Sequence, residues 1–286
     1  MRMSLTSSHL DAFIALAKAS SFTVAAEKLF ITQSALSQRI KNLEEELGLT
    51  LVIRTSQGVK LTEAGEKLMR YGHTRNSLES ELLQDISAKN KNNHSGSIRL
   101  GAYSSILRSV LIPALSPLFN ENLIYEMRCA HMSDLHGLLS RGEVDYIILD
   151  HTLERENLET IKLGSENFVV IESRKHKSPA HIFLDNNAED LATELFFRAQ
   201  GGKKPKYKRS YFDDCYGIIE AAAQGLGRAV MPEHLVKNNN QVKICKGFKP
   251  YQTDVVLHFY KQPFYTQLHN NIVKNLTTQA SQYLKS

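Results

Sequence analysis

Residues 21–40 read Ser21-Phe22-Thr23-Val24-Ala25-Ala26-Glu27-Lys28-Leu29-Phe30-Ile31-Thr32-Gln33-Ser34-Ala35-Leu36-Ser37-Gln38-Arg39-Ile40, the pattern of two short helices meeting at a tight turn. Thr23 can cap the first, in which Ala25, Ala26 and Leu29 allow close packing against a neighbour. Phe30-Ile31-Thr32 makes the turn, and Thr32 caps a second helix whose Leu36, Ile40, Leu43 and Leu47 fall in one narrow stripe before Gly48 stops it. Ser34, Ser37, Gln38 and Lys41 project opposite that stripe, with Gln33 on the first turn. A helix that enters the major groove needs short donors and acceptors near its N-terminus, where amides read base edges and the positive helix end favours phosphate. Glu44, Glu45 and Glu46 come only after about three turns, where such a helix would be leaving the groove. Polar residues alone fit an ordinary solvated face equally well.

Upstream, Leu10, Phe13, Ile14 and Ala17 mark an amphipathic helix that Ser20 and Ser21 end. Downstream, Leu51–Arg54 and Val59–Leu61 read as two short strands around Ser56-Gln57-Gly58, a wing whose Arg54 and Lys60 can reach phosphates or the minor groove. From there Ala64, Leu68, Tyr71, Arg75, Leu78 and Leu82 alternate by four and three, the seam of a coiled coil that asks for a partner helix. Gly72 and Arg75 weaken that seam and keep open a single helix lying on its own domain.

Residues 87–97 contain almost nothing apolar and read as a hinge. Beyond it Ile98–Tyr103, Ile124–Ala130 and Val144–Leu149 read as strands, alternating with helices over Ser104–Phe119 and Ser133–Ser140. Such alternation predicts a parallel α/β sheet. A second α/β section follows, with strands at Phe168–Ile171, Leu195–Arg198, Ala229–Met231 and Val255–Tyr260 and a helix over Asp213–Gln224. A last helix, about Thr266–Tyr283, returns to the first section.

At 286 residues the chain is long enough for two cores, and 42% hydrophobic with 23% charged residues is ordinary globular usage. The net charge of +5 permits nucleic-acid binding, but residues 1–65 carry seven Lys/Arg against six Asp/Glu, so a DNA reading rests on placement. Cys129, Cys215 and Cys245 form no closely spaced pair and read as buried structural thiols in a reducing cytosol. The apolar run Ala12–Ala17 is too short for a signal peptide or a membrane span, so the expected location is the cytoplasm. His131 with His136 and His176 with His181 lack metal-ligand spacing, and neither metal nor cofactor is expected. An enzyme, or a solute-binding α/β protein with an accessory helical domain, is the rival class. The chain has no GxSxG, Walker A or GxGxxG motif, and Gly225-Leu226-Gly227 alone is too weak to mark a nucleotide site.

The stretch from Ser21 to Ile40, and Leu61-Thr62-Glu63-Ala64-Gly65 after it, resemble the winged helix-turn-helix of LysR-type transcriptional regulators, with agreement running from about Leu10 to Leu68. The resemblance implies DNA contacts from Gln33, Ser34, Ser37, Gln38 and Arg54. Ile31–Ile40 is similar to the branch of that family that responds to lysine and arginine, a likeness confined to the DNA-reading part. More loosely, Gly142-Glu143-Val144-Asp145 and Ala223-Gln224-Gly225-Leu226-Gly227 up to Met231-Pro232 match the family's effector half, which is similar to periplasmic solute-binding proteins. It implies an all-α winged N-terminal domain at 1–65, a linker helix and hinge at 63–95, and a two-lobed α/β effector domain at 96–286. Lobe I covers about 96–163 and 265–286, and lobe II about 164–264. It also implies a homodimer or homotetramer.

Open α/β lobes bind ligands at strand C-terminal ends, where helix amides receive anions. That directs attention to Ser104 and Ser105 after the first strand, Met132 and Ser133 at the next helix, and Phe197 and Arg198. Helix capping is an equal account of the serines, and a surface ion pair the stronger account of Arg198. The expected effector is a small anionic or zwitterionic metabolite. The basic run Lys203, Lys204, Lys206, Lys208 and Arg209 reads as a solvated loop.

Overall fold

The structure, a computed structural model, describes residues 7–56, 58–86, 96–201 and 205–284. It packs as two units: Met1–Ile98 with 122–125 and 136–145, and Arg99–Glu121 with Glu126–Leu135 and Tyr146–Ser286.

In the first unit, α1 (Ser7–Ala19) ends because Ser20 turns left-handed at φ 51°. Ser21 then becomes extended and its hydroxyl accepts from the Val24 amide at 3.5 Å. Ser21, not Thr23, therefore caps α2 (Phe22–Lys28), and Thr23 lies inside the helix. Thr32 accepts from the Ala35 amide at 3.1 Å and caps α3 (Gln33–Leu47), which Gly48 closes at φ 63°. Leu10, Phe13 and Leu16 of α1, Ala25 of α2, Leu36 and Leu43 of α3 and Leu51 form a dry core. The wing is an antiparallel pair, β1 (Val52–Thr55) and β2 (Gly58–Leu61), with Thr55 opposite Gly58; Gln57 lies outside the described residues.

The 24-residue α4 (Glu63–Ile86) starts where Thr62 Oγ1 accepts from the Gly65 amide at 3.1 Å while donating to the Thr50 carbonyl at 2.7 Å. A Cβ on Gly65 would stand 2.2 Å from the Leu51 carbonyl oxygen, a backbone atom that cannot step aside. Gly65→Ala is therefore expected to destabilise this unit by about 2–4 kcal/mol, the range of a core overpacking that also moves backbone. Denaturant midpoints would show it, and a change under about 0.5 kcal/mol would mean the helix seats differently.

Of the expected seam on α4, the first half packs mostly on its own domain and the second half is exposed. Leu68 is buried, and Ala64 packs against the same core. Gly72 faces Ile14, and Arg75 donates to Asp11 at 2.5 Å. Tyr71, Leu78, Leu82, Leu83 and Ile86 are the exposed apolar side chains of the helix. The first turns thus lie on their own domain, as the small Gly72 permits, and the apolar stripe moves outward beyond them. Of the expected hinge, 87–95 lie outside the described residues, while Gly96 and Ser97 belong to a strand.

That strand is β3 (Gly96–Ala102). Then follow α5 (Ser104–Ile106), a π-helical stretch Leu107–Leu111, α6 (Ile112–Leu115), β4 (Leu123–Cys129), α7 (Met132–Ser140), β5 (Tyr146–Leu149) and the long β6 (Leu158–Ser173). Next come β7 (Ile182–Asp185), α8 (Ala192–Gln200), β8 (Lys208–Tyr211), α9 (Cys215–Ala223), β9 (Ala229–Pro232) and α10 (Glu233–Val236). β10 (Val242–Ile244), β11 (Tyr251–Tyr260) and α11 (Gln267–Leu284) complete the chain. The sheet has the order β10-β6-β11-β5-β3-β4, with β9 also beside β6.

It is mixed, not parallel as expected. β3 and β5 are parallel, but β6 and β11 are antiparallel to each other and to their flanking strands. They run through both halves of the sheet: Leu158–Lys162 of β6 lies in the half that β11 joins to β5, and Phe168–Ser173 in the half flanked by β9 and β10. The register of the pair shifts between Val255 and Val256, across from Gly164 and Lys162. Two lobes joined by crossing strands result. In lobe II β7 pairs in parallel with β8, over a core of Phe183, Phe196 and Phe197. Among the described residues no helix is long and apolar enough to cross a membrane.

Two histidines, one in the stretch of β11 that pairs with β5 and one on α11, give this unit an acid sensitivity. His258 of β11 is fully buried, and its Nε2 accepts from the Leu153 amide at 3.0 Å. His269 of α11 bonds the Tyr146 hydroxyl at 2.7 Å and stacks on Tyr265. Burial pulls both down from an ordinary 6.5 to about 4. The unfolded chain therefore takes up these protons first as pH falls. Stability is full above pH 6.5 and is lost between 6.5 and 4, by up to roughly 3 kcal/mol for each histidine. His269→Gln should flatten the fall by about one histidine's share, and an unchanged slope in pH-dependent unfolding would refute this origin.

Candidate DNA-reading face and effector cleft

Thr32, Gln33, Ser34, Gln38 and Lys41 are exposed on α3, and Ser37 is half-buried. Arg54 of β1 donates to Ser37 Oγ at 3.2 Å, and its guanidinium lies 4.2 Å above the Phe22 ring. Wing and helix are thereby joined into one polar surface. Gln38 Nε2 donates to Asn42 Oδ1 at 2.7 Å, which adds Asn42, a residue the sequence reading passed over although it lies one turn on. Lys41 pairs loosely with Glu45 at 3.6 Å, and Lys60 is exposed on β2 opposite Ile53. The turn before Thr32 holds Phe30 left-handed at φ 55° and almost wholly exposed.

All three carboxylates at the end of α3 have internal partners. Glu44 Oε1 accepts from the Leu51 and Val52 amides at 2.6 and 3.2 Å, tying the wing to the helix. Glu45 pairs with Lys41, and Glu46 with His9 at 2.9 Å. Their charge is spent within the domain, and the leading turns of α3 carry no carboxylate.

In the second unit, Ser104 and Ser105 open α5 directly after β3, the first partly exposed and the second buried. Neither serine is the cap: that position is Tyr103, which makes no side-chain cap bond. Ser104 Oγ lies 3.7 Å from Cys215 Sγ at the start of α9 in lobe II. Arg108 stands 3.7 Å over the Tyr216 ring, and His131 Nε2 is 3.8 Å from Asp213 Oδ1. Met132 and Ser133, exposed, begin α7 beside His131. The structure thus brings Ser104, Arg108 and His131 of lobe I, the last beside Met132 and Ser133, against Cys215, Tyr216 and Asp213 of lobe II. Those three were missed because nothing local marks them: they become a wall only through the crossing strands.

Phe197 and Arg198 do not belong to this edge by the argument that selected them, because 195–198 is part of helix α8 and not a strand. Phe197 is buried edge-on against Phe183 at 5.1 Å, and exposed Arg198 pairs with Glu194 one turn back at 3.6 Å. A short apolar run does not separate a strand from a buried helix, and the Glu194–Arg198 spacing is the helical signal that was passed over. The basic run is also corrected. Lys203 and Lys204 lie outside the described residues, and Lys206 is exposed. Lys208 and Arg209 belong to β8, and the Arg209 guanidinium pairs with buried Asp185 and donates to the carbonyls of Asn187, Ala188 and Asp190. Of the cysteines only Cys215 is buried; Cys129 is exposed and Cys245 intermediate. Burial pushes the Cys215 thiol up and that of Cys245 to about 11, so neither is a thiolate at neutral pH.

Residues 7–66 match the family model described as a bacterial regulatory helix-turn-helix protein, lysR family, and residues 91–264 match the LysR substrate binding domain. Among curated relatives, the HTH-type transcriptional regulator PgrR of Escherichia coli is 39% identical over 264 residues, covering 84% of this chain and 87% of its own. Among solved structures, ArgP from Mycobacterium tuberculosis superposes with a TM-score of 0.81 at 22% identity over 97% of this chain and 98% of its own. Full-length LysG from Corynebacterium glutamicum with bound effector Arg gives 0.74 at 21% identity over 100% of both chains.

Proposed function

The chain belongs to the LysR family of bacterial helix-turn-helix regulators, and from that premise we propose how it performs transcription regulation. Two copies present α3 to successive major-groove faces of a duplex. Thr32, Gln33, Ser34, Ser37 and Gln38 meet base edges and nearby phosphates, and Lys41, Arg54 and Lys60 meet the backbone or minor groove. The observation that carries this is the Arg54–Ser37 bond, which makes wing and helix one surface. A small metabolite held between the lobes shifts the population between oligomer geometries, which it can do only by favouring one of them. The sequence limits near 65 and 96 mark the DNA-binding and effector parts, and the work is done on DNA in the cytoplasm. Selection from random duplexes followed by footprinting should yield an extended site with dyad symmetry, its affinity falling steeply with salt. Recovery of no sequence at any ionic strength would sink the reading.

The effector is a small carboxylate or zwitterion held at the edge of Ser104, Ser105, Met132 and Ser133. The uncapped start of the helical run after Tyr103 and the nearby Arg108 suit a carboxylate; Asp213 on the facing wall suits an ammonium group. Since the LysG structure contains bound Arg, L-arginine and L-lysine are the first compounds to test. A thermal-shift screen should show stabilisation by amino acids or other carboxylates; stabilisation by neutral compounds alone would overturn the assignment.

A further inference from the structure

Four polar side chains that the cleft does not use meet inside the second unit. Glu166 stands on β6 just past the register shift, and His234 on α10, each side chain 1% exposed. Glu166 Oε1 lies 2.7 Å from His234 Nε2, and Oε2 accepts from the Tyr103 hydroxyl at 2.9 Å. The other ring nitrogen, Nδ1, lies 3.1 Å from Ser109 Oγ, and that hydroxyl donates to the Ser105 carbonyl at 2.5 Å. Counting protons leaves every group satisfied. Ser109 has one hydrogen and gives it to Ser105, so Nδ1 must donate to Ser109. Nε2 and Glu166 Oε1 then share one proton, while the other carboxylate oxygen accepts from Tyr103.

Tyr103 and Ser109 bracket Ser104 and Ser105 in lobe I, while Glu166 and His234 lie on the lobe II side. The segment that faces the cleft is therefore held at both ends by one buried histidine–carboxylate pair. Parting the lobes would strip hydrogen-bond partners from polar groups that water does not reach, so intermediate openings are disfavoured and the element has discrete states. We propose that Glu166 and His234 are positioning residues of the effector response, a buried histidine–carboxylate latch tying the Tyr103–Ser109 segment to lobe II beside the crossing strands. The proposal rests on the reading of this unit as an effector domain, but on neither the ligand class nor the operator. Asp150 is an acid whose charge also acts on Tyr103.

The test uses the full chain without ligand or DNA, so its failure is distinct from a failed duplex selection. NMR of isotope-labelled histidine at neutral pH should show one ring, absent in His234→Phe, whose Nδ1 proton is protected from exchange with water, and that protection should be lost in Glu166→Gln. Hydrogen exchange should rise about tenfold in peptides over 103–111 and 233–236 in Glu166→Gln, with lobe II peptides over 182–200 unchanged. If Glu166→Gln fails to fold, Tyr103→Phe, which removes a single hydroxyl, should still loosen 103–111 alone. A His234 Nδ1 proton that exchanges freely with water in the wild type overturns the latch. So does loosening spread evenly through lobe II, or none at 103–111 in either variant; these would leave the four residues an ordinary part of the core.

Discussion

Replacing Ser34, Ser37 and Gln38 together with alanine is expected to lower affinity for a selected operator by about 10²–10³-fold, to near the level of scrambled duplex. Each well-placed amide or hydroxyl on a base edge discriminates by roughly 1–3 kcal/mol, so the loss of three removes most sequence preference. The fold should survive. Ser34 and Gln38 are exposed, Ser37 is half-buried, and alanine is the better helix former at all three positions. Non-specific binding comes from lysine and arginine on phosphates, which these changes leave in place, so affinity for scrambled duplex and the slope of affinity on salt should stay put. Arg54→Gln should behave in the opposite way, weakening all duplexes alike and reducing the salt slope by about one. It also releases the Phe22 ring and Ser37, so near-ultraviolet circular dichroism should be compared first. Anisotropy titrations on selected and scrambled duplex decide the matter. An unchanged ratio in the triple variant would mean that α3 is a solvated face and that reading occurs elsewhere.

The parts that could be read from the sequence are those whose causes lie within a few residues. Thr32, Leu36, Ile40 and Gly48 specify α3 by capping, periodicity and a left-handed stop, and each acts where it stands. Ser21 took the cap from Thr23 because the chain enters extended from Ser20, a backbone property that residue types alone leave undecided. The candidate site divides along the same line. Ser34, Ser37 and Gln38 share a face by spacing alone, but the bond between Arg54 and Ser37 closes 17 residues of chain and needed the folded wing. In the effector part the long β6 was legible only at Phe168–Ile171, where it is apolar. Its other half carries Glu159, Lys162 and Glu166, and pairs with β11 some ninety residues away. The wall made by Asp213, Cys215 and Tyr216, and the Glu166–His234 pair, follow from that crossing and have no local signature.

Converting Leu78, Leu82 and Ile86 to glutamate is expected to leave each chain folded, to turn the protein monomeric at micromolar concentration and to reduce operator affinity at least about 10³-fold. The three are 39, 57 and 71% exposed, and Tyr71, one heptad before Leu78, is 50% exposed. Arg75, between them in the seam, is turned aside to Asp11, and this bond also raises its already high pKa. An apolar stripe of this kind on the last turns of a 24-residue helix is unsupported by its own domain. Paired with a second α4 it would bury side chains worth roughly 1.5–3 kcal/mol each, and each substitution acts twice in a symmetric dimer. Glutamates at these positions would also carry charge into the buried seam, so a desolvation cost adds to the lost burial. Dimerisation matters to DNA because one winged helix reaches only a half-site; two recognition helices on one rigid axis bind the second half-site as an intramolecular event. Arg75→Ala is the control, since it breaks the bond to Asp11 in the first half of α4 and should leave the oligomer intact. Sedimentation of the glutamate variant at wild-type mass would show that the stripe is not the interface, and operator binding retained by a confirmed monomer would remove the paired-helix geometry itself.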